Sequence, residues 1–173
     1  MQELETEHLW LRQFRYEDLD RMAEIFGDPE VMRFIASGTK TRSELEAAFP
    51  AMLERWKCQE FGMWAVIEKA SQTLLGRCGL IYLDGTPEVE LGYALDKAYW
   101  NRGMATEASI ACLRFGFEKM GLERIVAIAQ PANIASQRVM QKVGMTFEKN
   151  AHYYKTDVVY YAISRNEFHS LHG

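Results

Sequence analysis

The chain has 173 residues, 48% of them hydrophobic and 25% charged, a composition that is typical of globular proteins and excludes disordered or collagen-like chains. At roughly 150 residues per domain, this length predicts a single domain over residues 1–173. With a formal net charge of -4, the chain lacks the surplus of basic residues that contacts with nucleic-acid phosphates require. We therefore expect no direct nucleic-acid binding.

The three cysteines are spaced too widely for a disulfide framework or a zinc site. Cys58, Cys78 and Cys112 form no CxxC pair. The polar stretch Gln2–His8 lacks the apolar core of a signal peptide, and the apolar runs fall short of the ~20 residues that span a membrane. These features predict a cytoplasmic protein with no bound metal and no membrane association.

The first elements are a strand and helical segments. Alternating apolar side chains predict a strand over His8–Phe14. Helical spacing begins at Leu19 and ends at Gly27, and a short helix is expected over Val31–Ile35.

A second helical region carries two overlapping capping boxes. Thr41 is followed by Glu44, and Ser43 by Glu46, at the spacing of an N-terminal box. Pro50 lies within the apolar pattern that follows, and we expect it to kink or split the helix.

The middle of the chain predicts a meander followed by a βαβ unit. Three strands separated by turns are expected, over Met63–Glu68, Leu74–Leu83 and Glu88–Asp96. A mostly apolar helix over Ala105–Met120 then leads to a strand over Arg124–Ala129. A helical crossover of this length is typical of a parallel pair, so we expect the strands over Glu88–Asp96 and Arg124–Ala129 to be parallel.

The last elements are a helix and two strands. Asn133 is a predicted helix cap, and Gly144 ends that helix. Strands are expected over Met145–Lys149 and Asp157–Ser164, with a final helical turn over Arg165–Leu171. The element order predicts one α/β domain with a mixed sheet.

The turn before the long middle helix is a candidate anion site. Gly103 allows a tight turn, and the first N–H groups of a helix have no internal partner. A diphosphate would fit against Gly103, Met104, Ala105 and Thr106. The alternative is a plain strand-to-helix turn. P-loop, dinucleotide-fold and nucleophile-elbow motifs are absent from the sequence.

The same turn carries a family resemblance. Arg102-Gly103-Met104-Ala105 resembles the second half of the acetyl-CoA signature of the GNAT N-acetyltransferases, and the segment 133–145 resembles their N-x-x-S-x-[KR] helix. The segments 9–12 and 91–96 with Tyr99-Trp100 are similar to the ribosomal-protein N-terminal alanine acetyltransferases. Trp100 stands where the family usually has Gln or Arg.

The resemblance implies a fold and an acetyl-CoA site. The expected sheet is mostly antiparallel with helices on both faces, and it splays in a V between the fourth and fifth strands. In the family, backbone groups of the fourth strand pair with the pantetheine, and one N–H polarises the thioester carbonyl. The residues implied to bind acetyl-CoA here, besides 103–106, are Tyr93, Ala94, Leu95, Arg102, Asn133, Ser136, Arg138 and Lys142.

The catalytic groups implied by the resemblance are a base and a weak acid. A glutamate of the fourth strand deprotonates the amine in related enzymes, and Glu90 matches best. Glu88 shares its strand face and is the other candidate, and both could instead lie on a solvated face. Met140 replaces the family's usual tyrosine acid, which leaves Ser136 as the hydroxyl on the helix.

The predicted function is direct acetyl transfer from acetyl-CoA to a primary amine. A protein N-terminal α-amine is the preferred acceptor. A polyamine, amino acid or antibiotic is the alternative, as is a non-catalytic acyl-CoA-binding module. We expect a monomer or a homodimer whose partners are acetyl-CoA and the amine acceptor.

Overall fold

The computed structural model describes residues 2–173, which form one eight-stranded sheet and five helices. The strands are β1 Leu4–Glu5, β2 Leu9–Arg12, β3 Met63–Glu68, β4 Leu74–Tyr82, β5 Val89–Leu95, β6 Arg124–Ala129, β7 Thr146–Tyr153 and β8 Thr156–Ser164. The helices are α1 Leu19–Phe26, α2 Arg42–Gln59, α3 Met104–Glu118, α4 Ile134–Lys142 and α5 Arg165–His172. No helix within these residues is long and apolar enough to cross a bilayer.

The strand order is β1-β2-β3-β4-β5-β6-β8-β7, and β5–β6 is its one parallel pair. A single register pair, Glu90 with Val126, joins these two strands, whereas β4 and β5 pair along seven positions. The strands therefore diverge beyond Glu90 and leave a gap. This confirms the predicted splay, although the short strand β1 makes β5 and β6 the fifth and sixth strands.

Helices cover both faces of the sheet, as predicted. One core lies under α1 and α2 and includes Phe26, Phe49 and Ala94. The other lies under α3 and α5 and includes Leu113 and Phe168. Burial of the apolar side chains in both cores stabilises the packing of the sheet between two layers of helices.

The predicted helix over Val31–Ile35 and the predicted splitting of a helix at Pro50 are both wrong. The segment Val31–Ile35 forms turns instead of a helix, because it is too short to offset the cost of helix nucleation. Pro50 does not split α2, which is continuous over 18 residues. The helix starts at the first of the two predicted boxes, with Thr41 and Glu44 capping each other.

The register of β5 is regular at Gly92. Gly92 in a strand interior suggests a bulge, yet the β4–β5 pairing is continuous. A Cβ at Gly92 would lie 2.8 Å from Met63 Cε, so close packing explains the glycine. The register shifts elsewhere: Leu75 of β4 is an extra residue opposite Val66 and Ile67 of β3, and Glu148 is an extra residue in β7.

The last hairpin is longer than predicted and has a two-residue turn. Strand β7 extends past Lys149 to Tyr153, which pairs with Thr156. The intervening Tyr154 and Lys155 have φ of 51° and 60°, as a type I′ turn requires. This turn places Tyr154 beside β5.

Candidate active site

The N-terminus of α3 has no side-chain cap, unlike those of α2, α4 and α5. Gly103 is its N-cap with φ of 76°, and no side chain caps it. By contrast, Thr41, Asn133 and Ser164 cap α2, α4 and α5. A Cβ at Gly103 would meet no atom within 4 Å. The N–H groups of residues 104–106 can therefore donate hydrogen bonds to an anion such as a diphosphate.

The backbone of β5 offers hydrogen-bonding groups to the gap. The Asp96 N–H donates to Leu75 O in β4 at 2.7 Å, and alternate residues of a strand direct their N–H and C=O to opposite sides. Tyr93 and Leu95 therefore direct theirs away from β4, into the gap. Ala94 directs its own toward β4, which narrows the predicted pantetheine contacts to Tyr93 and Leu95.

Two residues before α3 are engaged within the protein. The Trp100 indole donates to Leu95 O at 2.8 Å, which leaves the Leu95 N–H for a ligand. Arg102 donates to Glu68 at 2.9 Å and lies over the Tyr99 ring. A phosphate contact by Arg102 would compete with this ion pair.

Helix α4 carries the other residues predicted to bind acetyl-CoA. Asn133 Oδ1 accepts from the Ser136 N–H at 3.2 Å, as a helix cap does. Arg138 and Lys142 are both exposed and four residues apart, so they share one face of the helix. Met140 is 1% exposed and fills the core.

The Tyr93 side chain is a site group that sequence reasoning missed. Its hydroxyl donates to Ser136 O at 2.9 Å and lies 2.9 Å from Ser136 Oγ. Because the carbonyl can only accept, the Ser136 hydroxyl donates to Tyr93. Burial raises the pKa of Tyr93, which keeps the phenol protonated.

Glu90 is buried, at 7% exposure, so the solvated-face alternative is wrong for this residue. Burial raises the pKa of Glu90 to about 7, while a 2.8 Å hydrogen bond from Tyr154 lowers it and the charge of Asp84 raises it. Glu88 lies just before β5, is half-buried and accepts from Tyr160. The two glutamates therefore have different environments.

Glu90 and Tyr93 approach the gap from opposite faces of the sheet. Side chains alternate along a strand, and Tyr93 packs with Leu91 and Leu95 against the core under α3. Glu90 projects to the other face, together with Ala94. The Glu90 carboxylate therefore flanks the gap on one face of the sheet, and the hydroxyls of Tyr93 and Ser136 flank it on the other.

Tyr154 links the turn between β7 and β8 to the turn between β4 and β5, next to Glu90. Its N–H donates to Asp84 Oδ2 at 2.6 Å, and the Asp84 N–H donates to Tyr154 Oη at 3.0 Å. A groove of about 330 Å³ borders this pair. The residues lining the groove are Arg55, Gln59, Ile81, Tyr82, Asp84, Gly85 and Tyr154. This groove is a candidate acceptor site on the Glu90 face.

Within residues 2–173, no group of three or more His, Cys, Asp or Glu side chains is arranged to hold a metal ion. The open helix end and the splayed strands fit a phosphate-bearing, extended ligand.

The comparisons with known proteins identify the family. Residues 8–146 match the acetyltransferase (GNAT) domain, and the chain belongs to this family of acetyl-CoA-dependent N-acetyltransferases. It is 34% identical over 143 residues to the uncharacterized N-acetyltransferase YnaD of Bacillus subtilis, covering 83% of this chain and 82% of the relative.

Solved structures agree with this assignment. The acetyltransferase (GNAT family) from Bacillus anthracis superposes with a TM-score of 0.83 at 29% identity, covering 95% of this chain and 99% of that one. The ribosomal-protein-S5-alanine acetyltransferase from Vibrio fischeri gives 0.79 at 19% identity, covering 97% and 99%, and shares the fold.

Proposed function

We propose that the chain, as one catalytic unit over residues 1–173, transfers an acetyl group from acetyl-CoA directly to a protein N-terminal α-amine. Glu90 is the general base. The observation that carries this proposal is a buried carboxyl beside the gap, with a pKa of about 7. Such a group is about half ionised at neutral pH, so it can both take and release a proton.

Acetyl-CoA supplies an activated acetyl group as a thioester. In the proposed complex, the N–H groups of residues 104–106 bind the diphosphate, and Arg138 and Lys142 neutralise phosphate charge. The backbone groups of Tyr93 and Leu95 pair with the pantetheine. One N–H of this strand also stabilises the charge that develops on the carbonyl oxygen. In this complex Ser136 and Asn133 would contact the thiol end of acetyl-CoA.

The proton demand of the reaction supports an α-amine. About a tenth of α-amines are neutral at pH 7, against about one in a few thousand lysine side chains. A base with a pKa of about 7 suits an α-amine better, because the proton transfer is nearly balanced. Glu88 is a weaker candidate because it is only half-buried and lies outside the strand.

A small-molecule amine is the second candidate. The groove beside Tyr154 measures about 330 Å³, which suffices for one residue or a small amine. Both kinds of acceptor would place an amine beside the hydroxyl of Tyr154. Membership in a family of transferases argues against a non-catalytic acyl-CoA-binding module.

Thiol release from acetyl-CoA would test the proposal. The acceptor panel would contain peptides with free N-termini, the same peptides blocked at the N-terminus but with lysine, and polyamines and free amino acids. We expect turnover with free N-termini, with kcat about 10²-fold lower in Glu90→Gln at neutral pH. Turnover only with lysine peptides would contradict the acceptor, and full activity in Glu90→Gln would contradict the base. Light scattering with each acceptor would distinguish a monomer from a homodimer.

A further inference from the structure

We propose that Tyr154 is a catalytic residue whose hydroxyl passes a proton from the acceptor amine to Glu90. This inference rests on the proposed function, because it assumes that Glu90 is the base. The groove beside Tyr154 would hold the acceptor.

The first argument is access. Glu90 is 7% exposed and does not line the groove, whereas Tyr154 does. The Tyr154 hydroxyl lies 2.8 Å from Glu90 Oε2. An amine in the groove therefore reaches the Tyr154 oxygen before it reaches the carboxylate.

The second argument is the hydrogen-bonding capacity of the hydroxyl. A phenol donates one hydrogen bond and accepts up to two. Tyr154 donates to Glu90 and accepts from the Asp84 N–H at 3.0 Å. One lone pair remains for a hydrogen bond from the acceptor amine. The Tyr82 carbonyl oxygen lies 3.5 Å from the Tyr154 hydroxyl and can accept its hydrogen bond once Glu90 is protonated.

The third argument is placement. Tyr154 stands in a two-residue turn with φ of 51°, and its N–H donates to Asp84 Oδ2 at 2.6 Å. The turn between β4 and β5 and the last hairpin are thus tied together. A hydroxyl held on both sides loses little entropy when it transfers a proton.

The groups that face Glu90 agree with this role. Tyr154 approaches from the hairpin and Asp84 from the turn after β4, while Arg55 lines the groove from α2. On β6 its neighbour is Val126, which does not titrate. Burial raises the pKa of Tyr154, so it transfers a proton as a neutral phenol and not as a stored phenolate.

The step balances. The acceptor ammonium gives one proton to Tyr154 Oη while the phenolic proton moves to Glu90 Oε2. The neutral amine then forms the C–N bond with the acetyl carbonyl carbon as the C–S bond breaks. The second amine proton goes to the departing thiolate, and Glu90 returns its proton to solvent.

The test compares Tyr154→Phe with Tyr153→Phe, a neighbouring hairpin tyrosine whose ring packs on Tyr160. We expect Tyr154→Phe to lower kcat about 10- to 100-fold at pH 7 with unchanged KM for acetyl-CoA. Tyr153→Phe should keep wild-type kinetics. Thermal melts at the same pH establish that both variants are folded.

A proton inventory in mixed light and heavy water separates relay from positioning. We expect a curved dependence of kcat in the wild type, since two protons move together, and a linear one in Tyr154→Phe. A linear wild-type inventory, or wild-type kcat in Tyr154→Phe, overturns the relay. If Glu90→Gln also kept wild-type activity, the proposed function itself would fail, whereas a defective Glu90→Gln would leave it standing.

Discussion

The hydroxyl of Tyr93 and Oγ of Ser136 lie 2.9 Å apart, although 43 residues separate them in the chain. Strand β5 and helix α4 are thereby joined at the gap. In the proposed mechanism the Ser136 hydroxyl would turn from Tyr93 to donate to the departing thiolate, because Met140, which replaces the family's usual tyrosine, has no hydroxyl and is buried in the core.

Ser136→Ala should lower kcat/KM by about one order of magnitude. A free thiol has a pKa of about 8.5, so the thiolate departs without full protonation and the acid is helpful but not required. Tyr93→Phe should cause a similar loss, and the double variant should lose little more than either single one because the two hydroxyls act together. Steady-state kinetics across pH would measure this, and wild-type turnover by Ser136→Ala would refute the role.

Gly103→Val should weaken acetyl-CoA binding at least tenfold, because the side chain would enter the open space where a diphosphate approaches. Gly121→Val is the matched control. Gly121 follows the other end of α3, with φ of 67° and equally open surroundings. Both variants carry the same backbone strain, of about 1–2 kcal/mol. Calorimetric titration with acetyl-CoA should separate them, and equal affinities would remove the anion site.

Glu90→Gln should lower kcat by about 10²-fold at neutral pH, at the low end for a lost base because α-amines are partly neutral already. The wild-type rate should rise as pH increases through about 7, when Glu90 ionises. The loss in the variant should shrink above pH 8, where the amine no longer needs a base. Glu88→Gln is the control and should keep the wild-type profile. A loss that is independent of pH would indicate substrate binding instead.

Glu90→Gln should also stabilise the fold at high pH. The folded pKa of about 7 lies above the ordinary 4.5, so the folded state binds more protons between these values and stability falls as pH rises through that window. By pH 8 the ionised carboxyl costs at most about 3 kcal/mol. Glutamine retains an acceptor for Tyr154 without this cost. Denaturant unfolding should show the gain at pH 8 and its disappearance near pH 4, whereas a gain of equal size at both would contradict the assignment.

Local sequence patterns predicted the parts of the site that form within a few residues. Gly103 before an apolar run and Asn133 before Ser136 are helix starts, and both occur as expected. The βαβ order also predicted the parallel β5–β6 pair, because chain connectivity determines strand direction.

The contacts between distant segments were not predictable. Tyr154 meets Glu90 across 64 residues and Asp84 across 70, and no spacing rule relates a hairpin turn to a strand of another pair. Pro50 shows the opposite error. A local rule predicted a kink or a split, yet α2 is not split because its packing on the sheet outweighs one missing hydrogen bond.

The divergence of β5 from β6 also has a consequence for the order of events. Glu90 faces one side of the sheet and Tyr93 the other, so in the proposed complex the amine would approach the thioester carbonyl carbon from the face opposite to the Tyr93 side chain. The proposed mechanism therefore implies that neither substrate has to leave before the other can enter. It also implies that the acetylated acceptor can depart while coenzyme A is still bound.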